Sequence, residues 1–384
     1  MMNKRTFLKT LGLGSLALGS GSIYLSGCGP SPEQKGESVS QSDPQKNWAW
    51  VRPQQEWSVD MWKEKLAQTK AAGIDAILLE VYNGRETYYE GGQLPMRENL
   101  LAEVARIAHS EDLEFHAWMW TMPCNAPEII EQHPDWYAVS GENKPAHTDP
   151  AYVDYYKFLC PCHPEVREFV QANVRSLAAI PEVDGIHLDY VRLPDVILAE
   201  GLQPKYDIVQ DREYPQYDYS YSQYCREAFQ QMSGIDPLKD LEDPSANEVW
   251  RQFRYDQINK LVNNFLVPEA KKQNKLITAA VFPNWESVRQ QWHTWNLDAF
   301  LPMLYHNFYN RELDFIREHT AAALGRMEQK KPIYAGLFIP EIPADQLALA
   351  RKMALEGGAQ GISIFSLAQL KENQWDALKQ ILAT

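Results

Sequence analysis

The 384-residue chain is short of positive charge: 37 Lys and Arg stand against 51 Asp and Glu, for a formal net charge of −14. Nucleic-acid binding, which depends on neutralising phosphates, is disfavoured. So is a dedicated surface for an anionic polymer, whereas a neutral substrate fits without strain. Cysteine is scarce, with five in all. Beyond Cys28 the only close pair is Cys160 and Cys162 in "CPCHP". With no second pair at zinc-like spacing this is a weak metal signal, so neither a metal nor a cofactor is expected. Free thiols, or a disulfide from Cys124 to one of the pair, are both compatible with the pattern. Long apolar runs are missing after residue 28, and nothing there approaches the roughly 18 residues a membrane span needs. A glycine-rich first turn, which an open dinucleotide-binding sheet would carry, is missing too.

What is present begins with a leader. Lys4, Arg5 and Lys9 give a basic start, and "TLGLGSLALGSGSIYLSGC" follows, apolar, rich in small residues and ending at Cys28. That order predicts a secretory signal over 1–28. "LSGC" resembles a bacterial lipobox, which implies lipidation of Cys28, export, and anchoring to a bacterial cell membrane by lipid alone. "NKRTFLK" resembles a twin-arginine motif with Lys4 in place of the first arginine. Residues 29–46 have Val39 as their one large apolar residue, a composition that cannot build a core. They read as a flexible tether, and 47–384 as the folded body.

In the body, apolar strand patterns alternate with amphipathic helical ones. Strands are expected at 47–53, 74–83, 114–120, 183–191, 276–282, 297–305, 332–339 and 360–367. Helices are expected at 58–73, 99–113, 164–180, 221–232, 247–274, 312–324, 344–358 and 373–382, with Ser58 capping the first and Pro164 opening the third. Alternating units imply a parallel sheet with helical crossovers. Eight of them predict an α/β fold of the (β/α)8, TIM-barrel type: a single domain with long loops on its C-terminal face, notably 121–163 and 192–220.

Strand side chains alternate, so parity sorts the barrel interior from the helix-facing side. In "VDGIHLDYV" it points His187 and Asp189 inward, with Asp189 last before the mouth. It also points Glu80 and Tyr82, then His116, Trp118 and Trp120, and Tyr305 inward. Asn83 and Tyr190 stand at the ends of their strands, and Arg192, Asn284, Trp285, His306 and Glu341 fall just beyond strand ends. Carboxylates run glycosidic acid–base chemistry and aromatic faces stack on sugars. The pattern therefore predicts catalysis by Asp189, with Glu80 and then Glu341 as partner, and a carbohydrate held by the aromatic, Asn, His and Arg positions. Each has a structural alternative: Asp189 as the partner of Arg192 or His187, Glu80 as the partner of Arg52, and the histidines as satisfied interior groups.

"DGIHLDYVRLP" resembles the fourth-strand signature of the glycosyl-hydrolase-like family 10 barrels. "GIDAILLEVYN", "LEFHAWMW", "HPDW", "CPCHPEVREFV" and "LDAFLPMLY" follow that family's order, across essentially all of 47–370. The resemblance implies a glycoside hydrolase acting on a poly- or oligosaccharide. It extends to peptidoglycan glycan strands, on which some relatives act. Asp189 matches the signature's acidic residue. The alternative is a non-catalytic carbohydrate-binding lipoprotein on the same barrel, since fold does not imply activity. Other barrel chemistries lack their marks: no H-x-H on the first strand, no lysine at the end of a strand interior, and no phosphate-binding glycine loop near the last strands. Oligomeric state is not legible.

Overall fold

The computed structural model describes residues 45–382. The expected leader with Cys28, and the expected tether up to residue 44, lie outside the described residues. Eight strands, β1 (Trp48–Val51), β2 (Ala76–Tyr82), β3 (Glu114–Trp120), β4 (Gly185–Asp189), β5 (Leu276–Val281), β6 (Ala299–Pro302), β7 (Ala335–Phe338) and β8 (Ile362–Phe365), alternate with helices. The helices are α1 (Val59–Ala71), α2 (Leu101–Ser110), α3 (Pro127–Gln132), α4 (Pro164–Ala178), α5 (Gln223–Ser233), α6 (Glu248–Lys260), α7 (Val267–Lys272), α8 (Asp314–Arg326), α9 (Leu347–Glu356) and α10 (Glu372–Leu382). The strands form one parallel sheet in the order β6-β5-β4-β3-β2-β1-β8-β7. Two parallel bridges, Phe300 to Ile333 and Met303 to Gly336, join its outer strands, so the barrel is nearly closed. No helix among the described residues is long and apolar enough to cross a membrane.

Where the elements differ from expectation, proline and local pairing explain it. β6 ends at Pro302, and beyond it only single bonds from Met303 to the Val281 carbonyl at 2.8 Å and from Leu304 to the Gly336 carbonyl at 3.0 Å remain, so the expected run to 305 continues as loop. The helix expected over 247–274 is interrupted by a wide turn at Leu261–Leu266. Pro268 in the first turn of α7 removes the donor that would have continued the α-ladder. Lys46, expected in the tether, is held by the body. Lys46 donates its backbone N–H to the Gln360 carbonyl at 3.0 Å and pairs through its ammonium with Glu114.

Helix-facing strand positions Ala49, Val51, Ile77, Leu79, Phe115, Ala117, Ile186 and Leu188 join the large core between barrel and helices. Trp48, Trp50, Leu78, Trp118 and Leu301 fill the barrel itself. The lowest interior layer is tight: the Trp48 and His116 rings meet edge-on at 4.7 Å. A Cβ on Gly185 would fall 2.3 Å from the His116 imidazole, so glycine is needed there.

The loops after β3 and β4 are tied down on the C-terminal face. Cys162 at the end of one is disulfide-bonded to Cys225 in α5. Asp218 of the other is buried against Arg254 of α6 and Arg289. A disulfide through Cys124 is thus excluded: Cys124 is buried and free, as is Cys160. The sequence could not pair Cys162 because Cys225 lies 63 residues away.

Candidate active site

Two adjoining cavities open at the C-terminal end of the strands, and Arg52, Tyr155 and Tyr190 line both. The deeper one, about 450 Å³, has Trp50, Trp118, Asp189, Arg192 and Tyr305 in its wall. The outer one, about 570 Å³, has Glu80, Asn83 and Trp120 in its wall. A single strand, β3, holds both acids. Its inward Trp118 donates from Nε1 to Asp189 Oδ2 at 3.1 Å, and its next inward residue, Trp120, donates to Glu80 Oε2 at 2.9 Å.

Asp189 is 8% exposed. Its Oδ1 accepts the N–H of Tyr190 at 2.7 Å. That short return bond accompanies a left-handed backbone at Tyr190, φ +50°, a conformation strained for an aromatic residue and frequent at functional sites. Burial raises the Asp189 pKa; the Tyr190 N–H, Arg192 and the Trp118 N–H oppose that rise without cancelling it. Arg192 is not its ion-pair partner. The guanidinium bonds Asp195 Oδ2 at 3.0 Å and the Leu193 carbonyl at 2.9 Å, beneath the Phe282 and Tyr190 rings.

Glu80 is 5% exposed. Oε2 takes both its bonds, from Trp120 and from Arg52 Nε at 3.2 Å, so the structural role of pairing with Arg52 is present as well. Oε1 has no hydrogen-bond partner among the described residues. Burial raises this pKa also; Arg52 and Trp120 lower it, and the nearby Asp189 charge adds to the rise. β2 and β4 flank β3, which sets their backbones roughly 10 Å apart, with both side chains directed to the indoles between them.

Several expected site residues lie elsewhere. Tyr82 points out of the barrel, because the β2–β3 register slips between Glu80 and Tyr82 and puts Val81 and Tyr82 on the same side. Its hydroxyl accepts from Asn173 of α4 at 3.4 Å. His116 and His187 face inward as parity requires, but below the mouth, each with no exposed surface. His116 bonds Glu114 at 3.0 Å. His187 Nε2 accepts from the Trp50 indole at 3.0 Å, and an indole only donates, so the proton sits on Nδ1 toward Thr278 Oγ1 at 2.9 Å. Burial depresses the His187 pKa well below its usual value.

Glu341 is exposed and lines a separate cleft with Asp345 and Lys371, since the turn Ile339–Glu341 carries it over the rim. Trp285 packs against Tyr255 and His293 outside both cavities. Asn284, before the turn Trp285–Val288, and His306, opening the turn His306–Tyr309, line neither cavity. The sequence reading missed Tyr152, Tyr155, Tyr156 and Lys157, which wall the mouth from the loop after β3. The tyrosine-rich run "YVDYYKF" at 152–158 was the available signal.

The glycosyl hydrolase-like 10 family model matches residues 61–352. Among solved structures, the glycoside hydrolase domain of PgaB (BpsB) from Bordetella bronchiseptica superposes with a TM-score of 0.68 at 15% identity, over 88% of this chain and 99% of that one. The catalytic domain of a β-amylase from Paenibacillus polymyxa gives 0.60 at 12%, over 88% and 98%. A β-galactosidase from Marinomonas ef1 gives 0.61 at 14%, over 88% and 59%. At such identities the likeness is one of fold. No curated protein matches the sequence. With its eight-unit barrel and a match spanning most of the body, the chain belongs to the glycosyl hydrolase-like 10 family.

Proposed function

We propose that the protein hydrolyses O-glycosidic bonds of a poly- or oligosaccharide, with the glycan strands of peptidoglycan among the candidates. The observation that carries this reading is the pair of buried carboxylates at the barrel mouth, each held by one indole of β3 and each with a raised pKa. Their environments differ in the way the chemistry requires. Glu80 keeps one oxygen free and resists ionisation, which suits a proton donor to the leaving glycosidic oxygen. Asp189 has a bond on each oxygen, which opposes its burial-driven pKa rise without cancelling it and orients the carboxylate that, once ionised, attacks the anomeric carbon or activates a water. Trp120 and Tyr190, with ring centres 4.8 Å apart, offer sugar-stacking faces beside both acids.

The test is incubation of the protein with a panel of polysaccharides and purified peptidoglycan, with product analysis by mass spectrometry. New reducing ends from wild type and none from Asp189→Asn are expected. Oligosaccharide binding without products would replace this reading with that of a binding protein. The anomer formed first, read by NMR, then separates retention from inversion.

We propose further that it works outside the cytoplasm, lipid-anchored through Cys28. The basic–apolar–LSGC order of the leader supports this. Cys28→Ala should move the protein into soluble fractions or leave it as precursor, and lipid labelling that persists in the variant would refute it.

A further inference from the structure

We propose that the outer cavity is a subsite for a carboxylate-bearing sugar, with Arg85 and Lys157 as its anion ligands. This rests on the glycan-hydrolase reading and names a substrate class for it. It runs against the neutral substrate that net charge alone suggests.

Three cations, Arg52, Arg85 and Lys157, line this cavity against two carboxylates, Glu80 and Asp154. Arg52 is committed to Glu80. The Arg85 guanidinium is exposed and makes no hydrogen bond or ion pair among the described residues. Its position is nonetheless built. Asn83 Oδ1 accepts the N–H groups of both Arg85 and Glu86 at 3.0 Å. Gly84 has φ +77°, and a Cβ there would stand 2.3 Å from the Pro123 carbonyl oxygen. Asn125 donates its N–H to the Gly84 carbonyl at 2.6 Å. The turn is therefore closed on itself and clamped against the loop after β3, and it presents an uncompensated charge to the cavity.

Lys157 supplies the second half. The residue is 9% exposed, and its ammonium donates to the Asp154 carbonyl at 2.6 Å and to the Asp154 carboxylate. That carboxylate's side chain is 94% exposed, so water competes for it. An ammonium carries three donors, which leaves one for a ligand. Cations on the wall of a cleft concentrate anions there even where the protein as a whole is acidic. Trp120 and Tyr155, with ring centres 5.7 Å apart, border the same space. A sugar ring stacked on them would turn its carboxylate toward Arg85 and Lys157, with Glu80 beside the linkage.

Calorimetry on the full chain carrying Asp189→Asn tests this without turnover. The probes are a hyaluronan hexasaccharide and peptide-free peptidoglycan strands, each beside a counterpart whose carboxylates have been reduced to alcohols. The acidic form of at least one pair should bind about tenfold tighter, the scale of one charge-assisted hydrogen bond. Adding Arg85→Ala should bring that ratio toward one, and Arg85→Glu should invert it. Equal binding of acidic and reduced forms, no binding of any acidic probe, or a ratio unmoved by Arg85→Glu overturns the subsite. Acid-preferring binding by a wild type that yields no products instead removes the hydrolase reading and leaves the subsite standing. Turnover without acid preference does the reverse.

Discussion

The barrel interior has a floor and a mouth, built on the same strands by the same alternation, and they do opposite things. At the floor the histidines are held internally and line neither cavity: His187 lies between Trp50 and Thr278, and His116 bonds Glu114 through Nε2, while His116 Nδ1 and Trp48 Nε1 are buried without a partner among the described residues. At the mouth the acids are only partly engaged, and they face cavities. Both levels shift pKa values by burial, but in opposite electrostatic senses. Burial disfavours the charged form, so it depresses an imidazole and raises a carboxylate. A shifted pKa inside a barrel therefore does not by itself mark chemistry; what sets the mouth acids apart from the floor histidines is that they face cavities.

The sharpest way to break this contrast is at Asp189. Asp189→Asn should lower hydrolysis by at least about 10²–10⁴-fold, the scale of a positioned acid or base. It should change the melting temperature at neutral pH only slightly, because the amide's relief from charge burial offsets the one N–H, of Trp118 or Tyr190, that its NH2 cannot accept. A raised carboxylate pKa means that the folded state keeps its proton longer than the unfolded chain. That contribution to stability is lost as pH rises past the ordinary carboxylate value near 4, and an amide avoids the loss. Near-normal turnover per folded molecule with a lowered midpoint would place Asp189 with the floor residues.

Glu80→Gln comes next, with an expected loss on the order of 10²-fold on substrates with poor leaving groups. Its signature is the pH profile. If Glu80 is the acid, the alkaline limb of kcat/KM, displaced above the ordinary glutamate range, should disappear in the variant. An unchanged limb would reassign the acid.

At the floor the expected effect moves from rate to stability. His187→Ala should cost about 3 kcal/mol, from a cavity and from a stranded Trp50 N–H and Thr278 hydroxyl, while turnover per folded molecule stays within about twofold. The unfolded chain protonates its histidine near 6.5, and the folded one resists. Wild-type stability should therefore fall as pH drops below about 6.5, and the variant should show a shallower fall. Urea melts at pH 7 and pH 5 measure both, and a large loss of specific activity would bring His187 into the mechanism.

Legibility followed the range of the physics involved. The alternation of periods in "GIDAILLEVYN" and "LEFHAWMW" announces strands because a half-turn per residue is a local property. Asp189 at the end of "GIHLD" was readable because a terminal inward position on a barrel strand is the mouth. Tyr82 was misread because parity is broken one residue earlier by a slip against β3, and a slip belongs to a pair of strands. His116 and His187 were assigned the right side and the wrong depth, since parity has no vertical coordinate. Glu341 was lost to a single turn after β7.

What the sequence by itself determined is the eight-unit barrel, the inward set on β3 and β4, and the acid at the end of β4. Each depends on side-chain period and chain order, which are written residue by residue. What only the tertiary structure decided is which groups share a space. Trp118 reaches Asp189 across 71 residues, Trp120 reaches Glu80 across 40, and Cys162 finds Cys225 across 63. A formal charge of −14 was also legible, but it is a sum over the chain. A ligand is bound by the few charges within a screening length, about 10 Å at ordinary salt, and only folding sets Arg85 and Lys157 on one wall beside Glu80.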